Sequence, residues 1–335
     1  MNFAKRTPHS EPNVSVILCT KNRAPCLAET LDVLTRVRIP EWMDAQLVVA
    51  DNGSEDETSA VVQNRTIWQK PIKCLYVNKT GKGSALNQAI AVAAGDVFAF
   101  IDDDVHPTEG WLEALTLPIF EEKLDCVVGR VELAPHLIRD WMEPRHRWVM
   151  ADTSFLDPEN PTSAVGANWA HRASLLASGM KYDEELSADY SAYEDTLFSM
   201  QLKESGARFG MSRDALVFHH FDEARLSREA FTRRAINEGR GRAYLEWHWL
   251  QVETSNPWVK YLKSSFRLKW LQWMHEVHQL SHLPLWELDL IEKVSFYKTY
   301  TQLKKSDRVY ERRGLRKLRS GTSDAPLGSS SYENA

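Results

Sequence analysis

Few cysteines and no long apolar run set the first limits on this chain of 335 residues. The four cysteines, Cys19, Cys26, Cys74 and Cys126, form no C-x-x-C pair, and Cys19 and Cys126 fall in apolar runs that read as strands. That pattern argues against a disulfide scaffold and suits a reducing compartment. The opening stretch, Met1 to Pro12, is polar, so no secretory signal is expected there. No apolar run approaches the ~20 residues that a membrane span requires, and the expected location is cytoplasmic. No G-x-G-x-x-G follows the first predicted strand, which disfavours a dinucleotide fold, and Gly81-Lys82-Gly83-Ser84 lacks the G-x-x-x-x-G-K-[ST] spacing of a phosphate loop. No recognised nucleic-acid motif accompanies the basic residues, so nucleic acid is not an expected partner.

What is present gathers around Asp102-Asp103-Asp104, three carboxylates ending the apolar run Val97-Phe98-Ala99-Phe100-Ile101. A solvated acidic turn is the plain reading. The alternative is a hard-oxygen ligand set of the kind Mg²⁺ or Mn²⁺ takes when phosphate oxygens complete its shell. Other polar groups fall at similar places. Val14 to Cys19 reads as a strand that runs into Thr20-Lys21-Asn22-Arg23, with Pro25 suited to the start of a helix. Leu47 to Ala50 reads as a second strand ending in Asp51-Asn52-Gly53, and Ser54 with Glu57 has the spacing of a capping box. Ile72 to Val77 leads into Thr80 to Ser84 and a helix over 85–94. Alternating strands and helices predict a parallel, doubly wound sheet, whose ligands bind beyond the carboxyl ends of the strands. Thr20, Asp51 and the Asp triplet all fall there. Asp51 also suits an Asx-turn, which Asp-Asn-Gly favours by itself.

These blocks, together with Asn87, Gly166-Ala167-Asn168 and Tyr193-Glu194-Asp195-Thr196-Leu197-Phe198, resemble family 2 glycosyltransferases of the GT-A fold over about residues 12–221. The resemblance implies an α/β, Rossmann-like, mostly parallel sheet flanked by helices, with a C-terminal α-helical extension. It implies an inverting, single-sugar transfer from a nucleotide-diphosphate sugar, UDP-sugar foremost, to a hydroxyl of a glycan or lipid-linked acceptor. It makes Thr20, Asn22, Arg23, Asp51, Lys82, Asp102 and Asp103 donor-binding, Asp104 and His219 ligands of Mn²⁺ or Mg²⁺, and Gly166 and Asn168 acceptor-side residues. By the same resemblance Asp195 is the general base and Glu194 its neighbour. Carboxylates in a first helical turn are also favoured by the helix dipole, which is the structural alternative for that pair. His219 and His220 end the strand Ala215 to Phe218, and alternation along a strand lets only one of them face inward. The polymer-extruding members of the family carry several spans and a Q-x-x-R-W motif, and neither is found in this sequence. Two other readings are a non-catalytic GT-A domain that binds a nucleotide sugar and a sugar nucleotidyltransferase. The latter family carries a Gly-rich loop with an Arg after strand one, which Thr20-Lys21-Asn22-Arg23 is not.

The last third differs in kind. Residues 225–320 hold 20 Lys and Arg against 10 Asp and Glu, whereas residues 1–224 carry a net charge of −13. Six of the twelve tryptophans lie there: Trp247, Trp249, Trp258, Trp270, Trp273 and Trp286. The segment reads as three helices, with Ser227 capping the first, Asn256-Pro257 opening the second and the third beginning near Pro284. The expected organisation is a polar segment 1–12, a catalytic domain 13–222 in halves 13–105 and 106–222, a basic helical extension 223–319 and a disordered tail 320–335. The basic helices suit either peripheral contact with the inner face of an anionic membrane through 257–305 or packing against the catalytic domain or a second subunit of a homodimer. Arg233, Arg234, Arg240 and Arg242 are placed to reach back toward bound phosphates.

Overall fold

A computed structural model of the chain describes residues 13–157, 161, 164–277 and 280–318. The expected polar segment 1–12 and disordered tail 320–335 lie outside the described residues. Strand β1 (Val14–Thr20) is apolar almost throughout and buried on both faces, as a central strand covered by helices on both sides must be. It pairs in parallel with β2 (Ala45–Asp51) and, on its other side, with β6 (Val97–Asp102). Helix α1 (Ala24–Leu34) connects β1 to β2, and α2 (Thr58–Val62) follows β2. A two-strand ladder of β3 (Thr66–Ile67) and β4 (Lys70–Pro71) precedes β5 (Lys73–Tyr76), which extends the parallel sheet beyond β2. Helix α3 (Lys82–Val92) returns the chain to β6. The register sets Thr20 opposite Asp51 and Cys19 opposite Asp102, so these positions end their strands together at one sheet edge.

Beyond β6 the sheet is mixed rather than wholly parallel. After β7 (Val105–Pro107) and α4 (Trp111–Phe120) comes β8 (Cys126–Leu133), and then a segment with one short helix, α5 (Pro144–Val149). Strand β9 (Asn168–Arg172) follows, and it runs antiparallel between β6 and β8. Helix α6 (Glu194–Glu204) then carries the chain across, and β10 (Phe209–His219) runs parallel to β8, its His219 opposite Leu133. The full order is β5-β2-β1-β6-β9-β8-β10-β7. The start of β9 and the end of β10 therefore reach the same edge as Asp102.

Alternate residues of β1 feed two cores: Val14, Val16 and Leu18 join α1 and α4 on one face, and Ile17 joins α3 and α6 on the other. The predicted capping box at Ser54 and Glu57 does not form. Ser54 N–H donates to Asp51 Oδ1 and Ser54 Oγ accepts from Asn22 N–H, so α2 begins later, with Asp56 Oδ1 accepting from Thr58.

The basic third forms α7 (Arg228–Tyr244), α8 (Pro257–Met274) and α9 (Leu285–Leu303). Ser227 Oγ accepts from Ala230 N–H and caps α7, as expected. Asn256 precedes α8 in left-handed backbone without a side-chain cap, with Pro257 in the first turn. Helices α7 and α9 cross closely, since a Cβ on Gly239 would lie 2.2 Å from the Glu292 carbonyl oxygen. No described helix is long and apolar enough to cross a membrane.

Candidate active site

A cavity of about 430 Å³ opens at the carboxyl edge of the sheet, between β6, the loop before β9, α6 and the start of the helical third. Arg23, Lys82, Asp102, Asp104, Gly166, Glu194, Asp195 and His219 line it, joined by Arg225, Arg234, Trp148 and Glu238. With Arg234, nine positions singled out in the sequence thus meet on one wall or another. The strand ends deliver them because a parallel register brings successive loops to one edge.

One side of the cavity is built on Asp104. Arg23 donates through NH1 to Asp103 Oδ1 and through NH2 to Asp104 Oδ2, each at 2.6 Å. Arg225 NH1 donates to the same Asp104 Oδ2 at 2.7 Å. His219 Nδ1–H donates to the Met150 carbonyl at 2.8 Å, which turns Nε2 toward Asp104 Oδ1 at 3.2 Å. His220 points elsewhere and stacks on His106 at 3.9 Å. Burial opposes the charge on Asp104, but His219, Arg23 and Arg225 outweigh it and hold the carboxyl well below the usual carboxylate range. Asp103 behaves differently. Burial and the Asp104 charge push it up to about 6 against Arg23 and the Thr20 hydroxyl, which donates at 2.7 Å.

The opposite side is built on Asp195, in the first turn of α6. Lys82, which opens α3 after Gly81 in left-handed backbone (φ +112°), donates to Asp102 Oδ1 at 2.8 Å and lies 3.9 Å from Asp195 Oδ2. Gly166 N–H also donates to Asp195. The approach is close, because a Cβ on Gly166 would stand 2.1 Å from Asp195 Oδ2 and 2.9 Å from Lys82 Nζ. Among the described residues, Asp195 Oδ1 and Glu194 Oε2 are buried without a hydrogen-bond partner. A buried acceptor left unpaired is costly. Burial, with Glu194 and Asp102 nearby, pushes Asp195 up to about 7 against the pull of Lys82 and the Gly166 N–H. Burial acts on Lys82 in the opposite sense, yet Asp102, Asp195 and Glu194 keep its ammonium well above the ordinary value.

Other predicted residues stand behind the wall. Asp51 is buried and caps its own turn, the Asx-turn alternative, through Ser54 N–H at 2.8 Å. Asn22, in left-handed backbone, ties the first loop to the second by accepting from Glu55 N–H at 2.7 Å. Thr20 and Asp103 orient Arg23. Asn168 is fully buried, and its amide is used up inside the protein: Trp111 Nε1 donates to it at 2.8 Å, and its Nδ2 donates to the carbonyls of Arg130 and Ala215. Asn168→Ala should therefore lower the unfolding free energy by roughly 3 kcal/mol, measured by urea titration, because it orphans several buried groups.

Of the arginines expected to reach back, Arg234 lines the cavity, whereas Arg240 donates to the Asp189 carbonyl and Arg242 pairs with Glu292. Arg225 is the residue that sequence reading missed. It stands three residues past Asp222, whose side chain caps a short turn that aims it back at Asp104.

A mixed eight-stranded sheet flanked by helices, with C-terminal helices beside it, is the fold of the GT-A glycosyltransferases. Within that class the chain belongs to glycosyl transferase family 2, whose family model matches residues 15–179. The succinoglycan biosynthesis protein ExoM of Rhizobium meliloti (strain 1021) is 28% identical over 241 residues, 69% of this chain and 74% of the relative. The GalNAc(5)-diNAcBac-PP-undecaprenol beta-1,3-glucosyltransferase of Campylobacter jejuni is 31% identical over 107 residues, covering 31% of this chain and a third (33%) of the relative's length. The mannosyltransferase PcManGT of Pyrobaculum calidifontis, solved in complex with GDP-Man and Mn²⁺, shares the fold at a TM-score of 0.59 and 15% identity over 88% of each chain.

Proposed function

We propose that this glycosyltransferase moves one sugar from a nucleotide-diphosphate sugar to a hydroxyl of a glycan or lipid-linked glycan, in a single displacement that inverts the anomeric carbon. The observation that carries the reading is the opposition across one cavity of Asp195, with Lys82 beside it, and the Asp104 side, where Arg23 and Arg225 converge. The family resemblance favours uridine diphosphate as the nucleotide. The name of the Campylobacter relative supports a lipid-linked acceptor.

In this reading Arg23, Arg225 and Lys82 face the donor diphosphate and offset the charge that grows on it as the glycosidic bond breaks. The Asp195 carboxylate accepts the proton of the acceptor hydroxyl as that oxygen attacks from the side opposite the diphosphate, and later releases it to solvent. The Gly166 N–H holds Asp195 in place, and Glu194, its neighbour in the first turn of α6, orients the acceptor. The donor set also fits a divalent cation. Asp104 Oδ1 and His219 Nε2 converge, but no group of three His, Cys, Asp or Glu among the described residues forms a protein-only cage. Such a pair suits Mn²⁺ or Mg²⁺ that takes its other ligands from phosphate and water. When bound, that ion would supply Lewis-acid neutralisation of the leaving diphosphate.

Slow hydrolysis of the donor, with water standing in for the acceptor, gives a direct test. Proton NMR of the first sugar released should show the anomer opposite to that of the donor; a retained anomer contradicts the mechanism. The base also fixes a pH dependence. A carboxyl raised to about 7 is protonated and inactive below that pH, so kcat/KM should climb about tenfold per pH unit below 7 and level off above it. A profile flat from pH 5 to 8 would rule out Asp195 as the proton acceptor.

A further inference from the structure

The outward face of α8 carries a row of exposed aromatic and aliphatic side chains that the site does not use. Trp258, Leu262, Phe266, Trp270, Trp273 and Met274 are exposed by 49–74%, in a protein whose other large apolar side chains are mostly covered. At 100° per residue they fall within an arc of about 160°, a single continuous face. The other side of the helix is anchored: Pro257 and Ser264 are buried, Leu268 packs into the core shared by α7 and α9, and Gln272 Nε2 donates to Glu287 Oε1 at 2.7 Å. Packing against the rest of the chain therefore accounts for Trp247 and Trp249, which are buried, but not for Trp258, Trp270 and Trp273.

We propose that this face docks the protein on an anionic lipid bilayer, lying in the interface rather than crossing it. Charge selects this occupant over others. The 18 residues of α8 contain no Asp or Glu and four cations, Lys260, Lys263, Arg267 and Lys269. Lys263 and Arg267 are exposed along one border of the apolar face and Lys269 along the other. A second copy of the chain would bring like-charged rows together, whereas a sheet of lipid phosphates meets the cations and lets the rings enter the headgroup layer. Trp258 and Trp273 stand ~22 Å apart along the axis, so the helix presents aromatic anchors near both ends at one depth. The helix is not apolar enough to span a membrane, which leaves the in-plane arrangement. This inference holds whatever sugar is transferred.

The test is flotation of the full chain with vesicles of pure phosphatidylcholine and of phosphatidylcholine with 30% phosphatidylglycerol, at low and high salt. The wild type should float with the anionic vesicles at low salt and stay behind with the neutral ones. Phe266→Asp with Trp273→Asp, both at exposed positions, should abolish flotation, and Lys263→Glu with Arg267→Glu should lower it by about tenfold or more. All variants should bind donor nucleotide like the wild type, which separates loss of docking from loss of folding. Equal flotation with both vesicle types, or unchanged flotation of the Asp variant, overturns the proposal. So does sedimentation showing a wild-type dimer that Trp273→Asp converts to monomer, because the face would then be covered by a second copy.

Discussion

Asp195→Asn should reduce turnover on the order of 10³-fold while donor nucleotide binds within about twofold of the wild type. The amide is nearly isosteric with the carboxylate, so its carbonyl can still accept from Gly166 N–H, and the Lys82–Asp102 pair at 2.8 Å does not depend on it. What it cannot do is take the acceptor proton. Initial rates of nucleoside-diphosphate release, paired with calorimetric titration of the nucleotide, read the two effects separately. Near-full turnover would show that the proton leaves by another route. Loss of nucleotide binding in step with activity would place Asp195 in donor recognition.

Asp104→Asn should remove the Mn²⁺-dependent part of nucleotide affinity, a loss of about 10- to 100-fold. The sign of the metal-free effect distinguishes this from simple damage. In the wild type, Asp104 Oδ2 occupies one donor of Arg23 and one of Arg225. Neutralising it frees both guanidinium groups, each about a third exposed, for phosphate. Affinity without metal should therefore equal or exceed that of the wild type. Titrations with and without Mn²⁺ check both arms, and a variant that keeps the full metal increment would exclude Asp104 as a ligand.

Much of this site is legible in the sequence. Thr20, Asp51 and Asp102 end parallel strands, and parallel pairing brings strand ends to one edge whatever the loops do. Alternation along β10 says only that one of His219 and His220 faces inward; the resemblance favours His219, and it is His219 whose Nε2 lies 3.2 Å from Asp104 Oδ1. Asn168 was legible as a motif residue, but its interior task depends on Trp111, Arg130 and Ala215, which come from distant elements. The antiparallel course of β9 was hidden for a similar reason, since only the path of 134–167 decides from which edge the strand enters. Arg225 was hidden because its reach depends on how the chain reverses after β10. Ser54 and Glu57 had the right spacing for a capping box, yet tertiary partners on Asp51 and Asn22 claimed Ser54 first.

The most direct test of the account is calorimetric titration of UDP, GDP and dTDP into the purified protein, each with and without Mn²⁺. The account predicts that one nucleoside diphosphate, UDP foremost, binds with Mn²⁺ and much more weakly without it. Failure of all three to bind a folded sample under either condition would contradict a nucleotide-sugar site at the edge of this sheet.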